Sequence, residues 1–231
     1  MSSFELNRHL VPESTQAFVA DWDDTVVGTV DAKVRQHIMV AKKHYGITLE
    51  RETMLLDWGK PLHELIAKWY QINPADETAF SEVLTTVLSY SGEFLKRPFP
   101  HAREALDAIK AADIPLGVVT GSPRNDIYHD FEVVGVGPSY FDYFQTSDDT
   151  DVHKPNPLVF APAIHWLAEQ GIAPQNTLYM GDTLNDFYAA DGVGFKFLGV
   201  ETASTDLPAF YAAGALSIRS IGDLIKRKTN S

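Results

Sequence analysis

Short runs of apolar and β-branched residues recur along the chain, and most of them end at polar residues. This pattern is typical of strands that are buried on both faces of a parallel sheet. Four runs predict such strands: Ala17 to Ala20, Leu116 to Val119, Thr177 to Met180 and Phe195 to Val200. Between them, apolar positions three and four residues apart predict helices. The alternation predicts an α/β core with a Rossmann-like parallel sheet.

Residues 29–95 interrupt this alternation. No run in this stretch predicts a strand, but apolar residues at helical spacing form three groups: Val34 to Tyr45, Leu62 to Tyr70 and Phe80 to Leu88. Pro98 and Pro100 then mark the return to the strand–helix pattern. We therefore expect an inserted all-helical cap domain of residues 29–95 and a core formed by residues 1–28 and 96–231.

Charge and composition exclude several classes of function. The formal net charge of -12 over 231 residues argues against a nucleic-acid or anionic-membrane surface, since both need clustered Lys and Arg. The chain has no cysteine, which excludes disulfides, zinc–thiolate sites and cysteine nucleophiles. No stretch has the pattern of a signal peptide or a membrane span. We expect a cytoplasmic protein, and the sequence does not indicate an oligomeric state.

The first predicted strand runs directly into a group of carboxylates, Asp21, Asp23 and Asp24. If Asp21 and Asp23 alternate around a turn, one can attack phosphorus while the other protonates the leaving oxygen and then activates water. The alternative is an ordinary solvated turn, because turns are rich in Asp.

The second predicted strand ends at Thr120, which Gly121, Ser122 and Pro123 follow. A hydroxyl and free backbone amides at a strand end form an anion site, with Ser122 as the helix N-cap and Pro123 as the first helical residue. The alternative is an ordinary strand-to-helix turn.

Two further segments add a cation and more carboxylates. Lys154 precedes a proline in an acidic stretch, where it can offset crowded carboxylates and hold a phosphoryl oxygen. The third predicted strand is followed by Asp182 and Asp186, whose oxygens suit Mg²⁺. The alternatives are a surface lysine for Lys154 and a helix cap for Asp186.

In this order the motifs resemble the haloacid dehalogenase superfamily. Its first motif is Asp-x-Asp-x-Thr, its second a Thr or Ser that ends a strand, its third a Lys, and its fourth Gly-Asp-x-x-x-Asp. The resemblance extends from about Ala17 to Ile218. The helical insert resembles the cap of the phosphoglycolate-phosphatase-like branch, which closes over the site. The resemblance implies a phosphatase that acts on a small phosphorylated metabolite through an aspartyl-phosphate intermediate.

Roles follow from the resemblance residue by residue. It implies Asp21 as the nucleophile, Asp23 as the general acid and base, and Thr120 and Lys154 as phosphate ligands. Mg²⁺ is implied as the cofactor, held by Asp21, Asp23 through its backbone carbonyl, Asp182 and Asp186. Gly121 and Ser122 are expected to contact substrate.

One position departs from the common family pattern. Asp24 stands where many members carry Gly. Asp tolerates a left-handed backbone, so the turn is expected to survive.

Other activities share parts of this pattern. A phosphomutase would share every core motif and differ in shielding its aspartyl phosphate from water. A dehalogenase of the same fold lacks an acid at the position of Asp23. A phosphorylatable receiver module places its acidic pair before the phosphorylated Asp and lacks the helical insert. The Gly-x-x-x-x-Gly-Lys motif of nucleotide-binding loops is absent.

One loop of the predicted cap carries residues suited to substrate binding. Trp58 and Lys60 lie between Asp57 and Pro61, where Gly59 and Pro61 predict a tight turn. Trp58 can then form an apolar wall, and Lys60 can meet an anionic group of the substrate. The alternative is that Trp58 packs within the cap and that Lys60 is solvated.

Overall fold

A computed structural model describes residues 3–58, 60–202 and 207–228. Gly59 of the predicted loop lies outside these ranges. The chain divides into two compact units, residues 1–28 with 97–231 and residues 29–96. We call them the core unit and the helical unit, and describe each by itself.

The strands and helices are numbered in chain order. The strands are β1 Phe4–Leu6, β2 Ala17–Ala20, β3 Leu116–Val119, β4 Tyr143–Gln145, β5 Thr177–Gly181, β6 Lys196–Val200, β7 Leu216–Ile218 and β8 Ile225–Arg227. The α-helices are α1 Thr29–Val40, α2 Arg51–Asp57, α3 Leu62–Tyr70, α4 Glu77–Leu88, α5 Ala102–Ala111, α6 Arg124–Val134, α7 Ala161–Glu169, α8 Leu184–Gly192 and α9 Leu207–Ala212. Short 3₁₀ turns lie between several of them.

The core unit contains a six-stranded parallel sheet in the order β4-β3-β2-β5-β6-β7. β2 lies at its centre, where Ala20 is in register with Val118 on one side and with Met180 on the other. β1 and β8 form a separate antiparallel pair. The predicted α/β fold with a parallel sheet is therefore confirmed.

Both faces of the sheet are buried. Along β2, Phe18 and Ala20 pack into one apolar cluster and Ala17 and Val19 into another. Side chains of successive strand residues point to opposite faces, so a strand covered on both sides is apolar throughout. This explains why the central strands were visible as continuous apolar runs.

The strand prediction failed at the margins of the fold. β2 and β3 have the predicted bounds, and β5 and β6 differ from prediction by one residue at one end. β4 and β7 at the sheet edges were not predicted, nor were β1 and β8. These strands have three residues each, and Leu216 of β7 is 75% exposed. Short, partly exposed strands carry no extended apolar run.

In the helical unit every described α-helix or π-helix lies where the sequence has helical periodicity, except α2, which was not predicted. A π-helical segment, Ala41–Tyr45, continues α1. Two buried polar side chains join its helices: Gln36 donates to the carbonyl of Val87 at 2.6 Å, and His37 Nδ1 lies 3.0 Å from the hydroxyl of Tyr70. Within the described ranges, no helix combines the length and hydropathy of a membrane span.

His37 makes the stability of the protein depend on pH. Burial, with a smaller effect of Lys33, lowers the pKa of His37 to about 4. An unfolded histidine has a pKa of about 6.5, so the unfolded chain binds the proton first as the pH falls. The neutral ring therefore stabilises the fold at high pH, and this contribution is lost as the pH falls from about 6.5 towards 4.

We predict that this one group lowers the free energy of unfolding by about 2 kcal/mol between pH 8 and pH 5. Urea denaturation at both pH values measures the change in wild type and in His37→Gln, which should lose this part of the pH dependence. His165→Gln, at a histidine whose side chain is 80% exposed, is the matched control. An identical pH dependence in wild type and His37→Gln would contradict the prediction.

Candidate active site

The polar residues of the site follow the carboxyl ends of three neighbouring strands. Asp21 follows β2, Thr120 follows β3, and Asp182 follows β5. Because these strands are parallel and in register, their carboxyl ends meet at one edge of the sheet. The sheet thereby gathers residues that are about 160 positions apart in sequence.

Lys154 joins two carboxylates at this edge. Its ammonium nitrogen lies 2.7 Å from Asp21 Oδ1 and 2.7 Å from Asp186 Oδ1. Only 13% of the lysine side chain is exposed, so the alternative of a surface lysine is excluded. A turn from His153 to Asn156 and the Asn156 side chain, which accepts from the amide of Leu158, hold the local backbone.

Asp21, Asp182 and Asp186 form a buried carboxylate cluster. One oxygen from each lies within 4.8 Å of the others, a spacing at which they could hold a metal ion. Thr25, the threonine of the first motif, donates to Asp182 Oδ1 at 3.4 Å. Oxygen ligands of this kind suit a hard cation such as Mg²⁺.

Both carboxylate oxygens of Asp186 accept hydrogen bonds from the protein. Oδ1 accepts from Lys154 and from the hydroxyl of Tyr179 at 2.9 Å, and Oδ2 accepts from the amide of Thr183 at 3.1 Å and from its hydroxyl. Thr183 and Asp186 form a capping box at the start of α8. The helix-cap alternative for Asp186 is therefore correct, and it coexists with the contact to Lys154.

Gly181 is required beside this carboxylate. A Cβ at position 181 would lie 2.5 Å from Cγ of Asp186, closer than side chains approach. The Gly of the fourth motif thus leaves room for the Asp of the same motif.

Asp23 contacts the second motif. Ser122 donates its hydroxyl to Asp23 Oδ2 at 2.5 Å, and the hydroxyl of Thr120 lies 3.5 Å from the same oxygen. The prediction that Ser122 is the helix N-cap is wrong. Pro123 is the N-cap and α6 begins at Arg124, whose amide donates to Asp148. The acceptor for the helix end comes from another loop, which leaves the Ser122 hydroxyl available to Asp23.

The backbone of the first motif turns sharply after Asp21. Asp24 has φ of 52°, in the left-handed region, which agrees with the expectation that this Asp adopts a left-handed backbone. Trp22 is fully buried and donates to Asp130 at 3.2 Å, which anchors the motif to α6. Thr202 donates to the carbonyl of Asp24.

Burial and like charge shift the ionisation of the cluster. Burial raises the pKa of Asp21 to about 7, although Lys154 lowers it. Burial also raises the pKa of Asp182 well above its ordinary value, and Asp186 adds to the rise. For Lys154, burial favours the neutral amine, but Asp186 and Asp21 outweigh burial and raise the pKa. Three ionised carboxylates would carry more negative charge than one ammonium offsets, so a bound cation would favour their ionised forms.

The predicted residues of the helical unit have partners within that unit. Trp58 stacks on Trp69 with ring centroids 6.2 Å apart. The Asp57 carboxylate accepts from Lys60 at 2.7 Å, from Lys68 at 2.7 Å and from Trp69 at 3.3 Å. The Lys60 side chain remains 49% exposed. A substrate contact by Trp58 or Lys60 stays a prediction.

The residues that sequence reasoning missed are Tyr179 and Thr183, and Thr25 was noted only as part of a motif. Tyr179 lies within a predicted buried strand, where a tyrosine is indistinguishable from a packing residue. Thr183 carried a usable signal, because Thr followed three residues later by an acid is the pattern of a capping box. Gly121 lies at the site edge, with no heavy atom within 4 Å of the place where a Cβ would be.

Known proteins are similar to this chain in sequence. A phosphoglycolate phosphatase of Escherichia coli O157:H7 is 29% identical over 153 residues, which cover 63% of this chain and 59% of the relative. The pyrophosphatase PpaX of Bacillus velezensis is 25% identical over 187 residues, covering 80% and 82%. The chain matches less than two thirds of the length of the first of these relatives.

A solved structure extends the likeness to the whole fold. The crystal structure of a predicted phosphoglycolate phosphatase from Haemophilus somnus 129pt matches with a TM-score of 0.73, covering 92% of this chain and 97% of that one at 20% identity. The model of the family described as haloacid dehalogenase-like hydrolase matches residues 18–200, well over half of the chain. The protein therefore belongs to the haloacid dehalogenase-like hydrolases.

Proposed function

We propose that the protein is a Mg²⁺-dependent phosphatase that hydrolyses a small phosphorylated metabolite through an aspartyl-phosphate intermediate. The observation that carries the proposal is the position of Lys154, whose ammonium lies between Asp21 and Asp186 beside a third buried carboxylate, Asp182. A nucleophile, a cation for phosphoryl oxygens and a cluster of oxygen ligands thus stand at one sheet edge, as phosphoryl transfer requires.

In the first half of the reaction, an Asp21 carboxylate oxygen attacks phosphorus and the ester bond to the leaving group breaks. Asp23 donates its proton to the leaving oxygen. Lys154 and the Thr120 hydroxyl contact the phosphoryl oxygens, together with the backbone at Gly121. The Ser122 amide was expected to be free, but it donates to the Thr120 hydroxyl at 3.1 Å and so orients that hydroxyl. These donors stabilise the charge that grows on those oxygens in the transition state.

In the second half, water attacks the phosphorus of the acyl phosphate and the bond to Asp21 breaks. Asp23, now a carboxylate, takes the proton of that water, so the residue returns to its starting state. The bond from Ser122 to Asp23 at 2.5 Å holds the carboxyl group of Asp23 near the second motif. Asp21 and Asp23 thus have the different surroundings that their different roles need.

The carboxylate cluster fits a hard divalent cation. Asp21, Asp182, Asp186 and the backbone carbonyl of Asp23 would hold Mg²⁺, which would neutralise charge and admit a phosphate dianion. Both oxygens of Asp186 already accept hydrogen bonds from protein donors. Asp21 and Asp182 are therefore better placed as direct ligands than Asp186.

The relatives support a small anionic substrate. One is named for phosphoglycolate and another for pyrophosphate. Both names describe compact molecules with a second anionic group beyond the phosphoryl group that is removed. Lys60, which is half-exposed, is a candidate contact for such a group.

Asp21→Asn and Asp23→Asn should fail at different steps. We expect Asp21→Asn to lose turnover without forming a phosphoenzyme, because the amide cannot attack phosphorus. Asp23→Asn should accumulate phosphoenzyme from an aryl phosphate with a good leaving group, because hydrolysis lacks its base. Quenched reactions with radiolabelled substrate measure the covalent label, and circular dichroism checks folding. Asp191→Asn, at an exposed residue of α8, is the control. Label on Asp21→Asn would contradict Asp21 as the nucleophile.

Mg²⁺ binding can be tested without turnover. We expect isothermal titration calorimetry to show one Mg²⁺ site in wild type and at least tenfold weaker binding in Asp182→Asn, since the variant loses a buried anionic ligand. Asp191→Asn should bind like wild type.

Excess chelator should stop hydrolysis and added Mg²⁺ should restore it. Full activity in chelator, or equal binding by wild type and Asp182→Asn, would exclude this site.

Lys60 and Lys68 offer a matched pair, since both donate to the Asp57 carboxylate. If Lys60 binds the leaving portion of the substrate, Lys60→Ala should weaken binding of the physiological substrate by roughly 1 to 3 kcal/mol and spare an aryl phosphate. Lys68→Ala should leave both KM values unchanged. A screen of phosphorylated metabolites identifies the substrate. Equal effects of the two variants would assign Lys60 a structural role within the helical unit.

A further inference from the structure

Tyr179 on β5 contacts both members of the Lys154–Asp186 ion pair. Its hydroxyl donates to Asp186 Oδ1 at 2.9 Å, the same oxygen that lies 2.7 Å from the ammonium of Lys154. The ammonium in turn lies 5.4 Å from the centroid of the Tyr179 ring, within the range of a cation–π contact. The proposed reaction assigns this tyrosine no step.

Packing alone does not require the hydroxyl. Tyr179 is fully buried, and its ring meets Phe160 edge-on with centroids 4.8 Å apart. A phenylalanine would fill the same space without a polar group that needs a partner in the core. The hydroxyl is therefore explained by its acceptor, Asp186.

We propose that Tyr179 is a positioning residue whose hydroxyl fixes the Asp186 carboxylate and thereby holds the ammonium of Lys154 against Asp21. A lysine side chain is long and flexible, and its ammonium takes the place that its acceptors define. Thr183 holds Oδ2 of Asp186, and Tyr179 is the uncharged donor to Oδ1. Together they leave the carboxylate one orientation, with Oδ1 towards Lys154.

This arrangement has a consequence for turnover, which rests on the proposed function. When the Lys154 ammonium donates a hydrogen bond to a phosphoryl oxygen, its bond to Asp186 Oδ1 weakens. Asp186 Oδ1 still accepts the hydrogen bond from the Tyr179 hydroxyl. A buried carboxylate oxygen that loses its donor costs free energy. The Tyr179 hydroxyl lowers that cost when the ammonium is shared between Asp186 and the substrate. Removing it should therefore slow the chemical step more than it weakens substrate binding.

The position of Lys154 can be measured directly in the metal-free protein. Proton–nitrogen NMR of the lysine ammonium groups gives a Lys154 signal, assigned by its loss in Lys154→Arg. In Tyr179→Phe this signal should shift and exchange faster with water. Tyr140→Phe is the matched control, because the hydroxyl of Tyr140 also donates to a carboxylate of the core unit, Asp107 at 2.6 Å. An unchanged Lys154 signal in Tyr179→Phe would overturn the proposal.

Kinetics with an aryl phosphate and Mg²⁺ test the consequence. We expect kcat of Tyr179→Phe to fall about tenfold with KM within about twofold, while Tyr140→Phe retains both. Equal kcat for wild type and Tyr179→Phe would overturn the role in turnover. A wild type that hydrolyses no phosphate ester would refute the proposed function instead, and the NMR result would still decide whether Tyr179 positions Lys154.

Discussion

The ammonium of Lys154 is the charge on which the site depends. Three carboxylates each place one oxygen within 4.8 Å of the others at the end of the sheet, and all three residues are buried. Like charges so close and so poorly solvated favour protonation, and the raised pKa values of Asp21 and Asp182 show this. Lys154 contacts two of the three, so it allows the group to remain compact with part of its charge retained.

The same charge excess links structure to chemistry. One ammonium cannot neutralise three carboxylates, and a phosphate ester would add further negative charge. A divalent cation at this cluster would resolve both problems, because it would lower the pKa of Asp21 and attract the phosphoryl oxygens. In the proposed function, the electrostatic cost of gathering the carboxylates would be the source of the affinity for a metal and, through it, for the substrate.

The apolar, rigid scaffold of the core unit offsets the electrostatic cost of placing three carboxylates together. Central strands buried on both faces fix the backbone from which Asp21, Thr120 and Asp182 project. Polar contacts then fix the side chains: Trp22 anchors the first motif to α6, and Thr183 caps the helix that carries Asp186. Polar contacts also fix a carboxylate in the helical unit. The buried Asp57 carboxylate accepts hydrogen bonds from α3 and from the loop before it.

The sequence by itself determined the central strands, the location of most of the helices and the order of the four motifs. Strands covered on both faces must be apolar throughout, and carboxylates and a hydroxyl directly after such strands have few structural reasons to recur. Tertiary structure decided what contacts what. In the fold, Pro123 is the N-cap of α6, and Asp148 accepts the hydrogen bond from the first amide of that helix. The Ser122 hydroxyl therefore donates to Asp23. Tertiary structure also gave Asp186 a partner in Tyr179, because contacts between strands and loops far apart in sequence arise only when the sheet brings their ends together.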